Sequence, residues 1–187
     1  MANKVKYGLK GVYYAVATIA ADGTATYATP VAWPGAVSLS LDPEGDTNNF
    51  FADNIVYATF SANAGYTGEL ETALTPDSFY TDVLGYVSDD GGKVVIEDAG
   101  AAVVHFALLF QFEGDDTATK HVLYNCTAKR PSMEASTTED SIEAQTDTIE
   151  LTASSIYNST LTKDIVKAKA ESGATAYATW TSTVYQP

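Results

Sequence analysis

Residues 104 to 112 read Val104-His105-Phe106-Ala107-Leu108-Leu109-Phe110-Gln111-Phe112. In an extended chain Val104, Phe106, Leu108, Phe110 and Phe112 fall on one side, and His105, Ala107, Leu109 and Gln111 on the other. A segment so rich in large apolar residues predicts a central β-strand. Outward from it, a turn through Glu113-Gly114-Asp115-Asp116 returns the chain to Val122, Tyr124 and Cys126, which makes Cys126 a small core residue. Further on, Ile149, Leu151 and Ala153 alternate with Thr148, Glu150 and Thr152. Upstream, Val12 to Ala17 suits a pleated, largely covered surface, and Asp22-Gly23 turns it into a hairpin with Thr24 to Thr29. Val37, Leu39 and Leu41 alternate with Ser38 and Ser40 until Asp42-Pro43-Glu44-Gly45-Asp46 stops them. Ile55 to Phe60 is a further β-rich stretch, followed by a turn at Asn63-Ala64-Gly65.

One helix is punctuated, over about residues 76–84. Thr75 is placed to cap it, Pro76 to open it and Gly85 to end it in a left-handed conformation. Phe79 with Val83 and Tyr80 with Leu84 are i,i+4 pairs that suit packing on a sheet. Ser172 to Ser182 holds a weaker helical turn, and residues 131–145 read as an exposed Ser/Thr/Glu-rich loop. The expectation is a mainly β fold, a β-sandwich or partial barrel with one flanking helix, as one domain over residues 1–187.

Composition narrows the function. Apolar residues make 45% of the 187 and aromatics 11%, which excludes wholesale disorder. Twenty-four acids against ten bases give a net charge of −14, the wrong sign for gripping phosphate, so neither nucleic acid nor an anionic membrane is an expected ligand. No apolar run has the length of a membrane span. The lone Cys126 allows no internal disulfide, which favours assembly in a reducing cytoplasm. Lys4, Lys6 and Lys10 ahead of Gly11 to Ala21 imitate a signal peptide loosely, but the Tyr- and Thr-studded stretch suits a first strand better. The sequons at Asn125 and Asn158 then lack a secretory context.

Enzymatic signatures are missing: there is no G-x-S-x-G, H-E-x-x-H, C-x-x-C or glycine-rich phosphate loop. His105 and His121 each lie in a strand pattern and read as structural. Five residues separate His121 from Cys126, which puts them on opposite faces of a regular strand. Glu69 and Glu71 share one strand face and point the same way, which suits a solvated acidic surface rather than a glycosidase pair. Asp42, Glu44 and Asp46 lack the length and closing glutamate of a calcium loop. No cofactor or metal is expected.

Charge distribution is the informative feature. Residues 11 to 92 contain no lysine or arginine and eleven acids. Such a block keeps a surface hydrated and repels polyanions. It reads either as solubility, or as a surface that must not stick to DNA or that meets the lysine-bearing parts of an identical neighbour.

The runs Leu39-Ser40-Leu41-Asp42-Pro43-Glu44-Gly45-Asp46, Phe51-Ala52-Asp53-Asn54-Ile55-Val56-Tyr57, Gly65-Tyr66-Thr67-Gly68-Glu69-Leu70-Glu71 and Pro76 to Gly85, in this order and spacing, resemble the major tail protein of long-tailed, non-contractile bacteriophages of Gram-positive hosts. The opening Lys4 to Lys10 and the stretch His121 to Pro131 resemble it too. The resemblance implies a virion protein with no catalytic role. Its copies close into hexameric rings, their sheets joining between subunits, and the rings stack into a tail tube that meets a tape measure protein and tail-end proteins. DNA passes through such a tube without specific binding. It also implies no C-terminal immunoglobulin-like domain in a chain of this length. On this reading Glu69 and Glu71, with Asp53, face the bore. Loops near residues 22–34 and 42–54 reach between subunits, the first anchored by Trp33 and the second carrying Asp42, Glu44 and Asp46. Lys163, Lys167 and Lys169 meet the acids of a neighbour. The alternative class is a secreted or surface adhesin, a carbohydrate-binding β-sandwich; an enzyme using lone carboxylates is the third.

Overall fold

The computed structural model describes residues 7–114, 118–133, 137 and 144–187. The fold is mainly β, as the alternation requires. Its strands are β1 (Leu9–Ile19), β2 (Ala25–Tyr27), β3 (Val31–Ala32), β4 (Ala36–Glu44), β5 (Thr47–Ala52), β6 (Ile55–Ser61) and β7 (Gly65–Thr72). After the helix α1 (Asp77–Asp82) come β8 (Val87–Asp89), β9 (Val94–Ile96), β10 (His105–Phe112), β11 (Lys120–Ala128), β12 (Asp147–Ser154), β13 (Ile156–Asn158), β14 (Lys163–Ile165) and β15 (Lys167–Ala170). The loop expected over 131–145, the turn at Asp115-Asp116, and Lys4 and Lys6 lie wholly or mostly outside the described residues.

One antiparallel sheet runs in the order β2-β1-β10-β11-β12-β7-β4, with β3 pairing β1 and β15 pairing β11. β4 comes back into contact with β1, so the sheet curls without closing. Its inner side holds the larger core: Tyr14, Leu70, Phe106, Leu108, Leu123, Ile149 and Leu151, capped by Phe79 of α1 and by Val83 just past its end. The outer side of β1, β10 and β11 holds a second core of Ala15, Leu109, Val122 and Tyr124, closed by Trp180 and Val184 from the C-terminal segment. β10 is therefore buried on both faces.

Several local expectations are corrected. Trp33 is not a loop anchor for a neighbour: it is 2% exposed, and its ring lies 4.3 Å from that of Phe79 and 6.0 Å from that of Tyr14. Within the segment 22–34, β2 and β3 both pair with β1. Only the weaker helical turn near 172–182 is partly present, as a 3-10 turn at Thr175–Tyr177. Thr75 does not cap α1; Pro76 takes the cap position without a side-chain bond, while the Thr75 amide donates to Asp147 Oδ2 at 2.8 Å. Gly85 behaves as expected, with φ +72° in the space against Ala101 that a side chain would fill.

A bulge corrects one face assignment. Ala107 on β10 spans the place of both Tyr124 and Asn125 on β11, because Phe106 pairs Cys126 and Leu108 pairs Leu123. The extra residue reverses the alternation, so Cys126 joins Leu123 on the inner side. His121 stacks on Phe110 at 5.1 Å, on the same side. No nucleophile pair results, since Cys126 is fully buried and burial pushes its thiol up to about 12.

Candidate functional site

The outer side of β12, β7 and β4 differs from everything else on the sheet. Register aligns Ser40 with Glu69 and Glu150, Ser38 with Glu71 and Thr148, and Asp42 with Thr67 and Thr152. Each of these residues alternates with an inward one, and Leu39, Leu70 and Ile149 form the matching inner row. The result is a face of carboxylates and hydroxyls laid over an apolar core. β11 extends it at one corner, where Lys129 pairs with Glu150.

Hydrogen bonds fix several of its acids. Thr146 Oγ1 donates to Glu71 Oε1 at 2.8 Å and Ser38 Oγ to Oε2 at 2.9 Å. These two donors favour the ionised form and hold the Glu71 carboxyl below its ordinary value. Thr67 Oγ1 donates to Glu44 Oε1 at 2.7 Å. The Glu150 carboxylate conversely raises the Lys129 ammonium. Hydroxyls oriented by carboxylates bind water well and offer a polyanion nothing to hold.

Of the residues singled out by sequence, the structure brings Glu69, Glu71, Asp42 and Glu44 onto this one face. Asp42 and Glu44 therefore lie on the sheet beside Glu69 and Glu71, at the end of β4. Asp53 does not join them: with φ +52° it sits at a hairpin tip. Asp46 marks the base of that hairpin, where its carbonyl accepts from the Ala62 amide at 2.9 Å. Lys163 lies on β14, and Lys167 and Lys169 lie on β15, which pairs with β11. The Lys167 ammonium sits 4.5 Å from the centre of the Tyr66 ring, and Lys169 is 3.7 Å from Glu171. Sequence reading missed Glu150; its alternation with Ile149 and Leu151 was visible, but its pairing opposite Glu69 depends on sheet order.

The second feature is the hairpin itself. The segment expected as a loop over 42–54 continues β4 to Glu44 and then forms β5, which among the described residues pairs only with β6. Phe50, Phe51, Ile55, Val56, Tyr57 and Phe60 are all exposed, Phe51 to 64% and Tyr57 to 70%. Phe50 and Phe60 fall on one face, with the Phe50 and Tyr57 rings 6.4 Å apart, while Phe51 and Val56 oppose each other on the other. A two-stranded hairpin alone in water is marginal. One that is apolar on both sides is a surface awaiting a partner.

The third is a cleft of about 1150 Å³ between α1 and the segments 97–104 and 128–133. Leu74, Leu84, Val103 and Met133 line it together with Asp77, Glu97, Asp98, Arg130 and Asp147, so it is mixed in character. Among the described residues no three His, Cys, Asp or Glu side chains gather as a metal site, and no helix is long and apolar enough to cross a membrane. His105 Nδ1 lies 2.7 Å from Asn125 Oδ1 in a structural network with Ser154.

No family model and no curated protein matches the chain. Among solved structures it is similar to a chain of the anti-feeding prophage (AFP) baseplate, determined by cryo-EM and six-fold symmetrised. The TM-score is 0.47 and the identity 11%, over 90% of this chain and 96% of that one. A likeness this distant leaves the functional reading to the chain's own surfaces.

Proposed function

We propose that the chain is a structural subunit of a phage-type tail, one tube domain over residues 1–187, whose copies close into hexameric rings and stack into a DNA-conducting tube. The observation that carries this reading is the bare acidic face on β4, β7 and β12, with the end of β11 beside it. Six such four-strand faces give about 24 strands, which at ~4.8 Å spacing and ~40° tilt close a cylinder roughly 48 Å across. Side chains of about 5 Å leave a bore of roughly 38 Å, wide enough for a hydrated duplex of roughly 20 Å. Duplex DNA carries about one negative charge per 1.7 Å, so a wall bearing Glu69, Glu71, Glu150 and Asp42 repels it and prevents adhesion in transit.

Among the described residues the outer edge of β4 is unpaired, which supports the same reading. An unpaired edge is an aggregation hazard unless a neighbour closes it. Joining sheets around a ring closes it with copies of the same strand order. Partners on this reading are further copies, a tape measure protein within the bore and proteins at the tube ends. Assembly takes place in the host cytoplasm, and the product is the virion's tail.

Electron microscopy of the purified full chain tests it. Six-fold rings or tubes with an open bore are expected; a persistent monomer or a solid fibre overturns the proposal. Glu69→Lys combined with Glu71→Lys leaves tubes forming but retards DNA delivery. Normal delivery through such tubes would remove these acids from the bore.

A further inference from the structure

The charges of the α1 cleft are unequally satisfied. Arg130 is paired with Glu97, and Lys129 with Glu150, which does not line the cleft. Asp77 on α1 and Asp147 on β12 have no ion-pair partner among the described residues. Both act on Tyr80, whose phenol is raised first by desolvation and then by the charges of Asp147 and Asp77. The Tyr86 ring lies 5.2 Å from that of Tyr80 and carries the strip on to Glu97, whose charge adds to the desolvation that raises the Tyr86 phenol. The walls also hold Leu74, Val103 and Met133, which are 72%, 71% and 98% exposed. The cleft's cations are thus neutralised in place, while two of its anions and its apolar walls are not.

We infer that the α1 cleft binds a short extended segment of a partner protein in which a lysine or arginine stands beside apolar residues. The cation docks at Asp77 and Asp147 against Tyr80, and its apolar neighbours cover Leu74, Val103 and Met133. The inference goes beyond the tube reading and is measured on the chain whether or not rings form.

Charge and shape select this occupant over other classes. Four acids and two bases line the cleft, and both bases are already paired, so a polyanion is repelled. A metal ion needs converging ligands, and among the described residues no three His, Cys, Asp or Glu side chains gather to hold one. A volume of about 1150 Å³ exceeds the roughly 300–1,000 Å³ of ordinary small-molecule sites. A small polar cation leaves the apolar walls bare, and an uncharged apolar segment leaves the two aspartates without a partner. A basic side chain gains twice at the Tyr80 end: charge-assisted hydrogen bonds to carboxylates are about twice as strong as neutral ones, and a tyrosine ring attracts a cation as well.

The test titrates the full chain into a fluorescein-labelled heptapeptide of alternating leucine and lysine, at physiological salt, read by fluorescence anisotropy. Saturable binding of one peptide per chain is expected. Asp77→Asn combined with Asp147→Asn should weaken it by about tenfold or more, and Val103→Ser with Met133→Ser should weaken it too. Because Asp147 also accepts from the Thr75 amide, Asp77→Asn alone is the second variant. Its side chain is exposed and takes no part in capping α1, so binding should weaken while the melting temperature stays unchanged. Heptapeptides with glutamine or glutamate in place of lysine should not bind. Equal binding of the glutamine peptide overturns the inference by removing the cation from recognition. Displacement by an equal concentration of spermidine overturns it by reducing the site to bulk charge. A loss from Glu69→Gln with Glu71→Gln as large as that from Asp77→Asn places the peptide on the acidic wall and overturns the assignment to the cleft, as does the absence of saturable binding.

Discussion

On β1, β10 and β11 the outward side of the sheet carries Ala15, Leu109, Val122 and Tyr124, and the C-terminal segment seals it with Trp180 and Val184. On β12, β7 and β4 the outward side carries Glu150, Glu69 and Ser40, and no described residue covers it. The inner side of both halves is one continuous core. The difference therefore lies in what each half expects beyond itself. The sealed half completes its own folding, and the bare half presents a finished polar wall to its surroundings. The β5–β6 hairpin is a third case, apolar yet left exposed by the described residues.

Truncating the seal should have the largest effect on the isolated subunit. Trp180 is 1% exposed, and its indole nitrogen donates to the His121 carbonyl at 3.3 Å. Trp180→Ala is expected to cost about 3–5 kcal/mol, lowering the melting temperature by on the order of 10 °C for a chain of this size. Glu69→Gln on the bare half should leave the melt unchanged. Equal losses from the two substitutions, measured by calorimetry, would erase the distinction between the halves.

Alkaline titration probes the sealed core next. Desolvation raises the Tyr14 phenol to about 12, and the Asp82 carboxylate that accepts its hydrogen bond at 3.0 Å adds to the shift. Burial raises the Cys126 thiol likewise. Both groups are neutral in the fold and ionise more easily when unfolded, at about 10 and about 8.5. Their contribution is therefore complete below those values and is lost as pH climbs towards about 12. A stability curve measured from pH 8 to pH 12 should fall across this window, and Cys126 should stay unreactive to thiol reagents at pH 8 until denaturant is added. Ready labelling in the folded state would contradict the two-sided burial of β10 and β11.

How much of this could be read from residues alone follows the same division. β10 and β12 were legible because alternation of large apolar residues reports burial directly, and α1 was legible from Pro76 and Gly85. Trp33 was not, because it lies between two prolines with no period around it, and its burial is decided by Phe79, far along the chain. The bulge at Tyr124-Asn125 leaves no signature in composition, so the side on which Cys126 falls had to come from register. The hairpin's pattern of Phe50, Phe51, Ile55 and Tyr57 reads as a strand, but periodicity cannot say whether the covering partner is the same chain or another. Glu69 and Glu71 were found by spacing, whereas Glu150 and Asp42 joined them only once β12 and β4 were known to flank β7.

Phe51→Ser with Tyr57→Ser sharpens the third case. These side chains are exposed in the subunit, so its melting temperature should move by no more than surface substitutions ordinarily do, about 0.5 kcal/mol equivalent. Sedimentation should nevertheless show the particles lost at concentrations where the unaltered chain assembles. A destabilised monomer would mean that the hairpin packs on its own subunit, and intact assembly would mean that it is not an interface.

The smallest expected effect concerns Glu71, whose two hydroxyl donors belong to different segments, Ser38 on β4 and Thr146 just ahead of β12. Because its folded carboxyl titrates below its unfolded value, its contribution is present above that unfolded value and disappears as pH falls through the folded one. Glu71→Gln should flatten the difference in stability between pH 7 and pH 3 slightly, with Glu69→Gln, which removes neither the Ser38 nor the Thr146 hydrogen bond, as the control. The carboxylate is open to solvent, which keeps the change small. If both substitutions flatten the profile alike, the bare wall is held by its overall charge rather than by the Ser38 and Thr146 hydrogen bonds. The orientation of its acids would then be a property of the surrounding water instead of the sheet.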